Sequence, residues 1–239
     1  MRPKTCIPLL TKKIDDLKVK FEVMKDKKFD MIEIRIDYFE EIFNEEKLLC
    51  FLKEVREVFE DKEIIFTLRT KEEGGNLEIS EEEYKRINTL VLENSNIDFI
   101  DFEVSKNKDL LKKLIFFANS KKVKTILSYH NFERTPLKEE LLEKIIRMEK
   151  LKGDINKLAL MPNDMFDVLN LLKLSLEMKE YSKNPFIFIS MGKLGMATRF
   201  LGEIFGSCIT FGTLEDKNSI GQINIDDLEI ILEAIHRNY

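Results

Sequence analysis

Lysine is uncommon inside an apolar strand, yet Lys157 sits within Asp154-Ile155-Asn156-Lys157-Leu158-Ala159-Leu160-Met161-Pro162. Desolvation disfavours the charged form of a buried amine, which frees it to attack a ketone. The plainer reading is a lysine near the strand's start that snorkels to water. The chain has two histidines. His130 closes the run Thr125-Ile126-Leu127-Ser128-Tyr129 and opens a polar loop, whereas His236 lies near the C-terminus and reads as surface. An imidazole at a strand end suits general acid–base work near neutral pH, although a lone histidine is more often structural. Arg199 follows Ser190-Met191-Gly192-Lys193-Leu194-Gly195. Its forked guanidinium can hold a carboxylate. Gly192 and Gly195 match no phosphate-loop spacing, so a carboxylate substrate is preferred to a phosphate ester.

Other charges fall at strand ends. In Met31-Ile32-Glu33-Ile34-Arg35-Ile36-Asp37 the side chains alternate, placing Glu33, Arg35 and Asp37 on one face and the isoleucines on the other. The charges face either the interior of a barrel, where they must be paired, or water on an amphipathic edge strand. Arg69 ends the strand Ile64–Leu68, and Glu73 lies in the loop after it. Gly221-Gln222 follow the last strand-like run.

Positioning these residues requires an alternation that runs the length of the chain. Strand-like runs lie near 5–9, 30–37, 63–69, 98–104, 124–130, 155–161, 186–190 and 207–212. Helical patterns occupy 45–60, 80–94, 105–120, 136–151, 163–181, 194–205 and 224–237. Ser80 with Glu83 reads as a capping box, and Thr135-Pro136 as a cap before a proline at the first helical position. Leu137, Leu141, Leu142, Ile145 and Ile146 are then expected on one helical face, and Gly206 ends the helix that contains Phe200, Leu201, Ile204 and Phe205. Strands repeating at the spacing of a βα unit point to an α/β fold, a closed parallel (β/α)8 TIM barrel forming a single domain over 1–239. Its rival, an open doubly wound sheet, predicts a glycine-rich turn after the first strand, where Leu9-Leu10-Thr11-Lys12-Lys13 stands instead.

Composition narrows the class further. The chain is 44% hydrophobic and 35% charged with a net charge of −5, which fits a globular protein and argues against disorder. Lysines are interspersed with glutamates, so no basic patch suggests nucleic acid. No apolar run is long enough to span a membrane, and the N-terminus does not resemble a signal peptide. Cys6, Cys50 and Cys208 lack CxxC spacing, which predicts neither a disulfide framework nor a zinc site and suits a reducing cytoplasm.

The ordered set Glu33-x-Arg35-x-Asp37, Arg69 with Glu73-Gly74-Gly75, Ser128-Tyr129-His130-Asn131-Phe132, Lys157-x-Ala159-x-Met161-Pro162, Ser190-Met191-Gly192 with Arg199, Phe205-Gly206-Ser207 and Gly221-Gln222 resembles the type I 3-dehydroquinate dehydratases over nearly the whole chain. The resemblance implies a (β/α)8 barrel with no metal and no organic cofactor, working as a homodimer. The reaction it implies is the dehydration of 3-dehydroquinate to 3-dehydroshikimate in the shikimate pathway. It also implies roles: Lys157 forms a Schiff base with the ketone, His130 moves the protons, and Glu73 positions His130. Arg199 and Gln222 would bind the substrate carboxylate, and Glu33, Arg35 and Arg69 would contact ring hydroxyls and set the charge around Lys157. Two departures stand out. The loop after the eighth strand reads Asn218-Ser219-Ile220-Gly221-Gln222 where the family commonly has Ser-Ala-Pro-Gly-Gln, so Asn218 replaces the serine that usually touches the substrate, Ser219 stands one place later, and both are expected at the substrate. The chain also begins its first strand after Met1-Arg2-Pro3-Lys4, without the hairpin that plugs the barrel bottom in many members. A lysine aldolase acting on sugar phosphates and a binding protein without activity are the rival functions. The first lacks a phosphate loop here, and the second predicts damage at Lys157, His130 or Arg199.

Overall fold

The computed structural model describes residues 1–214 and 221–239. Among the described residues nine parallel strands alternate with helices in the order β1 (Lys4–Leu9), α1 (Asp15–Met24), β2 (Met31–Arg35), α2 (Glu45–Val58), β3 (Glu63–Thr67), α3 (Glu81–Asn94), β4 (Phe99–Glu103), α4 (Lys108–Ser120) and β5 (Lys124–Asn131). There follow α5 (Lys138–Leu151), β6 (Ile155–Leu160), α6 (Met165–Tyr181), β7 (Phe186–Ser190), α7 (Gly202–Phe205), β8 (Ile209–Thr213), the short β9 (Ile223–Asn224) and α8 (Ile225–Asn238). Strands β1 to β7 pair in sequence, and β8 pairs with β1 through Lys4↔Ile209, Thr5↔Thr210 and Cys6↔Phe211. Between β7 and β8 the ring meets at a single bridge, Phe186↔Ser207, with the Cys208 N–H donating to the Phe186 carbonyl at 2.9 Å. A doubly wound sheet has two free edges; this sheet returns on itself, and the barrel expectation holds.

Period-two alternation sorts the strand residues into two cores. Ile32, Ile34, Ile64, Phe66, Ile100, Phe102, Leu127 and Leu158 pack outward against the helices. Cys6, Met31, Ile65, Phe99, Ile126, Ile155, Ile187 and Ile209 fill the lower interior. Parallel strands buried on both faces read as continuous apolar runs, which is why the strand positions could be seen in the sequence. At the N-terminal mouth Lys4 pairs with Glu63, and the Lys124 ammonium lies 5.3 Å from the centre of the Phe99 ring, so long side chains lie over the lowest apolar layer. Of the described residues, no helix is long and apolar enough to cross a membrane.

Helix starts follow local chemistry. Asn44, Ser80, Asn107, Asp164 and Asn224 each accept a backbone N–H of the first turn. Such a cap is worth about 1 kcal/mol. The Ser80 half of the expected capping box is present, whereas Glu83 turns to Arg86 instead. Gly206 ends α7 at φ +100° as expected.

Three local expectations are corrected. Thr135 does not cap α5: its hydroxyl donates to the Met161 carbonyl at 3.0 Å, and the helix starts at Lys138 with Glu140 accepting the Leu137 N–H. Leu137 and Ile146 are consequently exposed, while Leu141 and Ile145 are buried. The helix expected over 194–205 is broken into a 3-10 turn, Met196–Arg199, and the short α7. Thr198 causes the break by bonding the Gly195 carbonyl and the Ser190 N–H, which ties the turn to the end of β7. Helix α1 was not anticipated, for it has no side-chain cap and buries only Leu17 and Met24.

Candidate active site

The C-terminal ends of the strands carry the polar side chains, in the place where a barrel's loops converge. On β6 the inward positions are Ile155, Lys157 and Ala159, so Lys157 points into the barrel above an apolar floor. It is 4% exposed and does not snorkel. Its Nζ lies 3.2 Å from Glu33 Oε1 and 3.5 Å from Asp101 Oδ2, with the Phe211 ring centre at 4.6 Å. Glu33 also accepts the Thr67 hydroxyl at 3.0 Å. Burial pushes the Glu33 carboxyl up, but Lys157, Arg35, Arg69 and the Thr67 hydrogen bond outweigh it, and the net position is below the usual range.

Arg69, just beyond β3, is the hub of the cluster. One Nη donates to Asp101 at 2.8 Å; the other reaches Ser128 Oγ at 3.0 Å, Glu103 at 3.2 Å and Glu73 at 3.4 Å. Burial alone would loosen its proton, but the carboxylates of Asp101, Glu103, Glu73 and Glu33 hold it more firmly than usual. A buried arginine surrounded in this way fixes the relative positions of β3, β4 and β5.

Glu73 stands on the 3-10 turn Lys71–Glu73, which Gly74 closes at φ +78°. Its Oε2 accepts the His130 backbone N–H at 3.0 Å and lies 3.1 Å from His130 Nδ1. Burial raises the Glu73 carboxyl; Arg69 opposes this, Glu103 and Asp101 add to it, and the result is about 7. His130 takes the inward position on β5 after Ile126 and Ser128. Burial, then the charges of Arg69, Lys157 and Arg35, pushes its imidazole well below the ordinary value, so it is neutral at pH 7. If Nδ1–H donates to Glu73, the lone pair of Nε2 is left to accept a proton.

Arg35 is forked onto Asp37 by two 2.9 Å hydrogen bonds, and Asp37 also accepts the Asn76 N–H at 3.0 Å. The strand stops at Arg35, so the shared face expected for the triad extends into the turn Ile36–Tyr38. The edge-strand alternative for β2 fails, because β2 pairs on both sides and Glu33 is buried.

Arg199 lies on the opposite wall, in the turn between β7 and β8, where its carbonyl accepts the Thr210 hydroxyl at 2.6 Å. The side chain is buried, its Nε has no hydrogen-bond partner, and it forms no ion pair among the described residues. Burial lowers its pKa to about 10. A buried cation of this kind is suited to an anionic ligand. Gln222 follows Gly221 at the rim, beside the β8–β9 pairing. Gly221 has φ +74°, and a Cβ there would run into the Gly192 carbonyl, so glycine lets the loops after β7 and β8 touch. Asn218 and Ser219 lie outside the described residues.

The structure thus brings Lys157, Glu33, Arg69, Glu73 and His130 into one network, with Arg35 beside it and Arg199 across the mouth. His236 stands apart, paired with Glu203 at 2.9 Å. The sequence reading missed Asp101, Glu103 and Thr67. The signal for the first two was present: Asp101 and Glu103 alternate with apolar residues as Glu33 and Arg35 do.

The family profile described as type I 3-dehydroquinase matches residues 5–239. The chain belongs to the type I 3-dehydroquinase family. It is an enzyme of the hydro-lyase class. A 3-dehydroquinate dehydratase from Alkaliphilus oremlandii is 40% identical over 99% of this chain and 93% of its own length. Another from Clostridium novyi is 37% identical over 98% of this chain and 93% of its own. The crystal structure of the type I 3-dehydroquinate dehydratase from Clostridium difficile, solved with covalently modified comenic acid, superposes with a TM-score of 0.95. It is 36% identical, and the match covers 100% of this chain and 94% of that one. A 3-hexulose-6-phosphate synthase from Salmonella typhimurium, 12% identical with a TM-score of 0.63, shares the fold alone.

Proposed function

We propose that this one barrel converts 3-dehydroquinate to 3-dehydroshikimate by syn elimination of water through an imine on Lys157. The observation that carries the reading is a buried lysine amine held among carboxylates, in a network shared with a neutral His130–Glu73 pair. Glu33, 3.2 Å from Nζ, is the nearest acceptor for the proton the amine must lose before it attacks the ketone carbon. The carbinolamine then loses water to give an iminium, which draws electrons from the neighbouring C2–H bond. Nε2 of His130 takes the C2 proton, and the electron pair forms an enamine. The imidazolium so formed is stabilised through Nδ1–H by Glu73. It returns its proton to the C1 hydroxyl, which leaves as water. Hydrolysis of the conjugated iminium releases the product and restores Lys157.

Arg199 holds the substrate carboxylate by a charge-assisted fork, with Gln222 beside it. Arg35, preset by Asp37, and Glu33 meet the ring hydroxyls. Orientation against a dry interior supplies much of the rate. The Clostridium difficile relative was solved with covalently modified comenic acid, which fits covalent chemistry in this family. On the same reading the chain acts as a cytoplasmic homodimer in the shikimate pathway, ahead of chorismate and the aromatic amino acids.

The test is intact-mass analysis after adding 3-dehydroquinate and borohydride, followed by peptide mapping. One reduced adduct on Lys157, with growth of enone absorbance in the untrapped reaction, is expected. A folded protein giving neither would overturn the reading.

A further inference from the structure

No step of the proposed dehydration passes through Ser105. This residue lies on the exposed loop after β4, yet its hydroxyl donates to Oε1 of buried Glu73 at 2.7 Å. The two oxygens of Glu73 therefore serve different partners. Oε2 faces the His130 N–H, His130 Nδ1 and Arg69 Nη1, and Oε1 takes Ser105. The same loop holds the turn that carries Glu73 at further points. Lys106 Nζ bonds Glu72 at 2.8 Å, and Glu103, at the end of β4, accepts the Thr70 N–H and hydroxyl at 2.7 Å each.

We propose that Ser105 is a positioning residue for the dehydration: its hydroxyl holds the outer oxygen of Glu73 so that the inner oxygen receives Nδ1–H of His130. The inference rests on the reading of His130 as the group that moves the protons. Its physical basis is a choice of tautomer. An ionised Glu73 can only accept, so it selects Nδ1–H and leaves Nε2 as a base. A protonated Glu73 can donate to Nδ1, which moves the imidazole proton to Nε2 and blocks proton abstraction. Every neighbour of Glu73 acts on that choice. Burial, together with Asp101 and Glu103 from β4, opposes ionisation; Arg69 beyond β3 and the Ser105 hydroxyl favour it. Lys106 reaches Glu103 at 3.6 Å and Glu72, and His130 completes the surroundings. The balance falls at about 7, so losing one hydrogen bond moves the ionisation of Glu73 within the working range.

The sign is fixed. A donor to a carboxylate favours the charged form, so Ser105→Ala raises the pH at which Glu73 ionises. The acid limb of kcat against pH should move up by about half to one unit. That corresponds to a loss of roughly three- to tenfold at pH 6 and little loss at pH 9. Ser105→Thr keeps the hydroxyl and should retain the wild-type profile. An independent readout comes from the two histidines of the chain. The imidazole Cε1–H signal of His130, assigned with a His236→Asn variant, should show an inflection from Glu73 that moves up equally in Ser105→Ala. An unmoved limb, a loss equal at every pH, or a Ser105→Thr protein as impaired as Ser105→Ala would overturn the inference. If the wild-type chain fails to dehydrate 3-dehydroquinate, the reading of the site falls. The NMR inflection then still decides whether Ser105 governs Glu73: moved in Ser105→Ala supports it, unmoved overturns it.

Discussion

Arg199 offers a test in which stability and activity should move in opposite directions. Its guanidinium is buried without an ion pair among the described residues, and burial lowers its pKa from the ordinary arginine value to about 10. At 1.36 kcal/mol per pH unit, that shift is on the order of 3 kcal/mol of folding free energy lost to holding the charge out of water. The group is a base with a depressed folded pKa, so the cost is fully present below about 10, begins to fade there, and vanishes only above the higher unfolded-state value. Arg199→Met removes the charge and keeps a chain of similar length, while the Thr210 bond to the residue 199 carbonyl is a backbone contact and survives. The variant should therefore be more stable than wild type at pH 7, by roughly 1–3 kcal/mol once imperfect packing is allowed for. For a chain of this length that is a rise in Tm of about 2–4 °C per kcal/mol.

Function should pay in the other direction. Losing a charge-assisted carboxylate contact worth about 3 kcal/mol lowers kcat/KM by roughly a hundredfold or more. Urea denaturation at pH 7 and pH 10.5, with and without 3-dehydroshikimate, separates the contributions. The stability gap between variant and wild type should narrow at the higher pH, and the ligand should stabilise wild type more than the variant. A variant less stable than wild type at pH 7, with kcat/KM within a few-fold, would refute both the desolvation argument and the role given to Arg199.

Further expectations are as direct. Lys157→Ala should abolish turnover and borohydride trapping while calorimetry still detects binding; normal turnover would remove the imine. His130→Ala should still form an adduct, slowly, and then fail to eliminate, which single-turnover trapping separates from a loss of binding. Gly221→Ala puts a Cβ against the Gly192 carbonyl at φ +74°, costing on the order of 1–2 kcal/mol in the left-handed conformation alone. That strain should part the two loops and raise KM several-fold, with Lys157 trapping otherwise intact.

How much of this could be read in the sequence depends on where each residue's fate is decided. The strand runs were legible because both faces of a parallel barrel strand are buried, so Ile64–Thr67 or Ile187–Ile189 stand out from charged helices. Lys157 and His130 drew attention as chemically improbable neighbours of apolar residues. Asp101 and Glu103 did not, although the same alternation marks them, because their role depends on Arg69 arriving from another strand. Long-range pairing of that kind leaves no local trace. Helix α1 lacked a cap and a broad apolar face, and the break at Thr198 turned on a side-chain bond to a strand already in place.

The arrangement of charge around the ring gives a reason for the order of the motifs. Glu33, Glu73, Asp101 and Glu103, with Arg35, Arg69 and Lys157, come from the arc β2 to β6, where carboxylates and cations interlock. Arg199 comes from the junction of β7 and β8, which lies opposite β3 and β4 in an eight-stranded ring. The field across the mouth therefore runs from a mixed, mutually neutralising side to a cation that has no ion pair among the described residues. On the proposed reading, a small acid whose carboxylate-bearing carbon and ketone carbon are separated by one ring carbon has one favourable orientation in that field, with the carboxylate on Arg199 and the ketone toward Lys157. Reversing it would set the substrate's carboxylate against those of Glu33 and Asp101, a like-charge contact in a buried site. Moving a cation away from the β7–β8 junction and onto the carboxylate arc would leave every catalytic group in place and still lose the orientation.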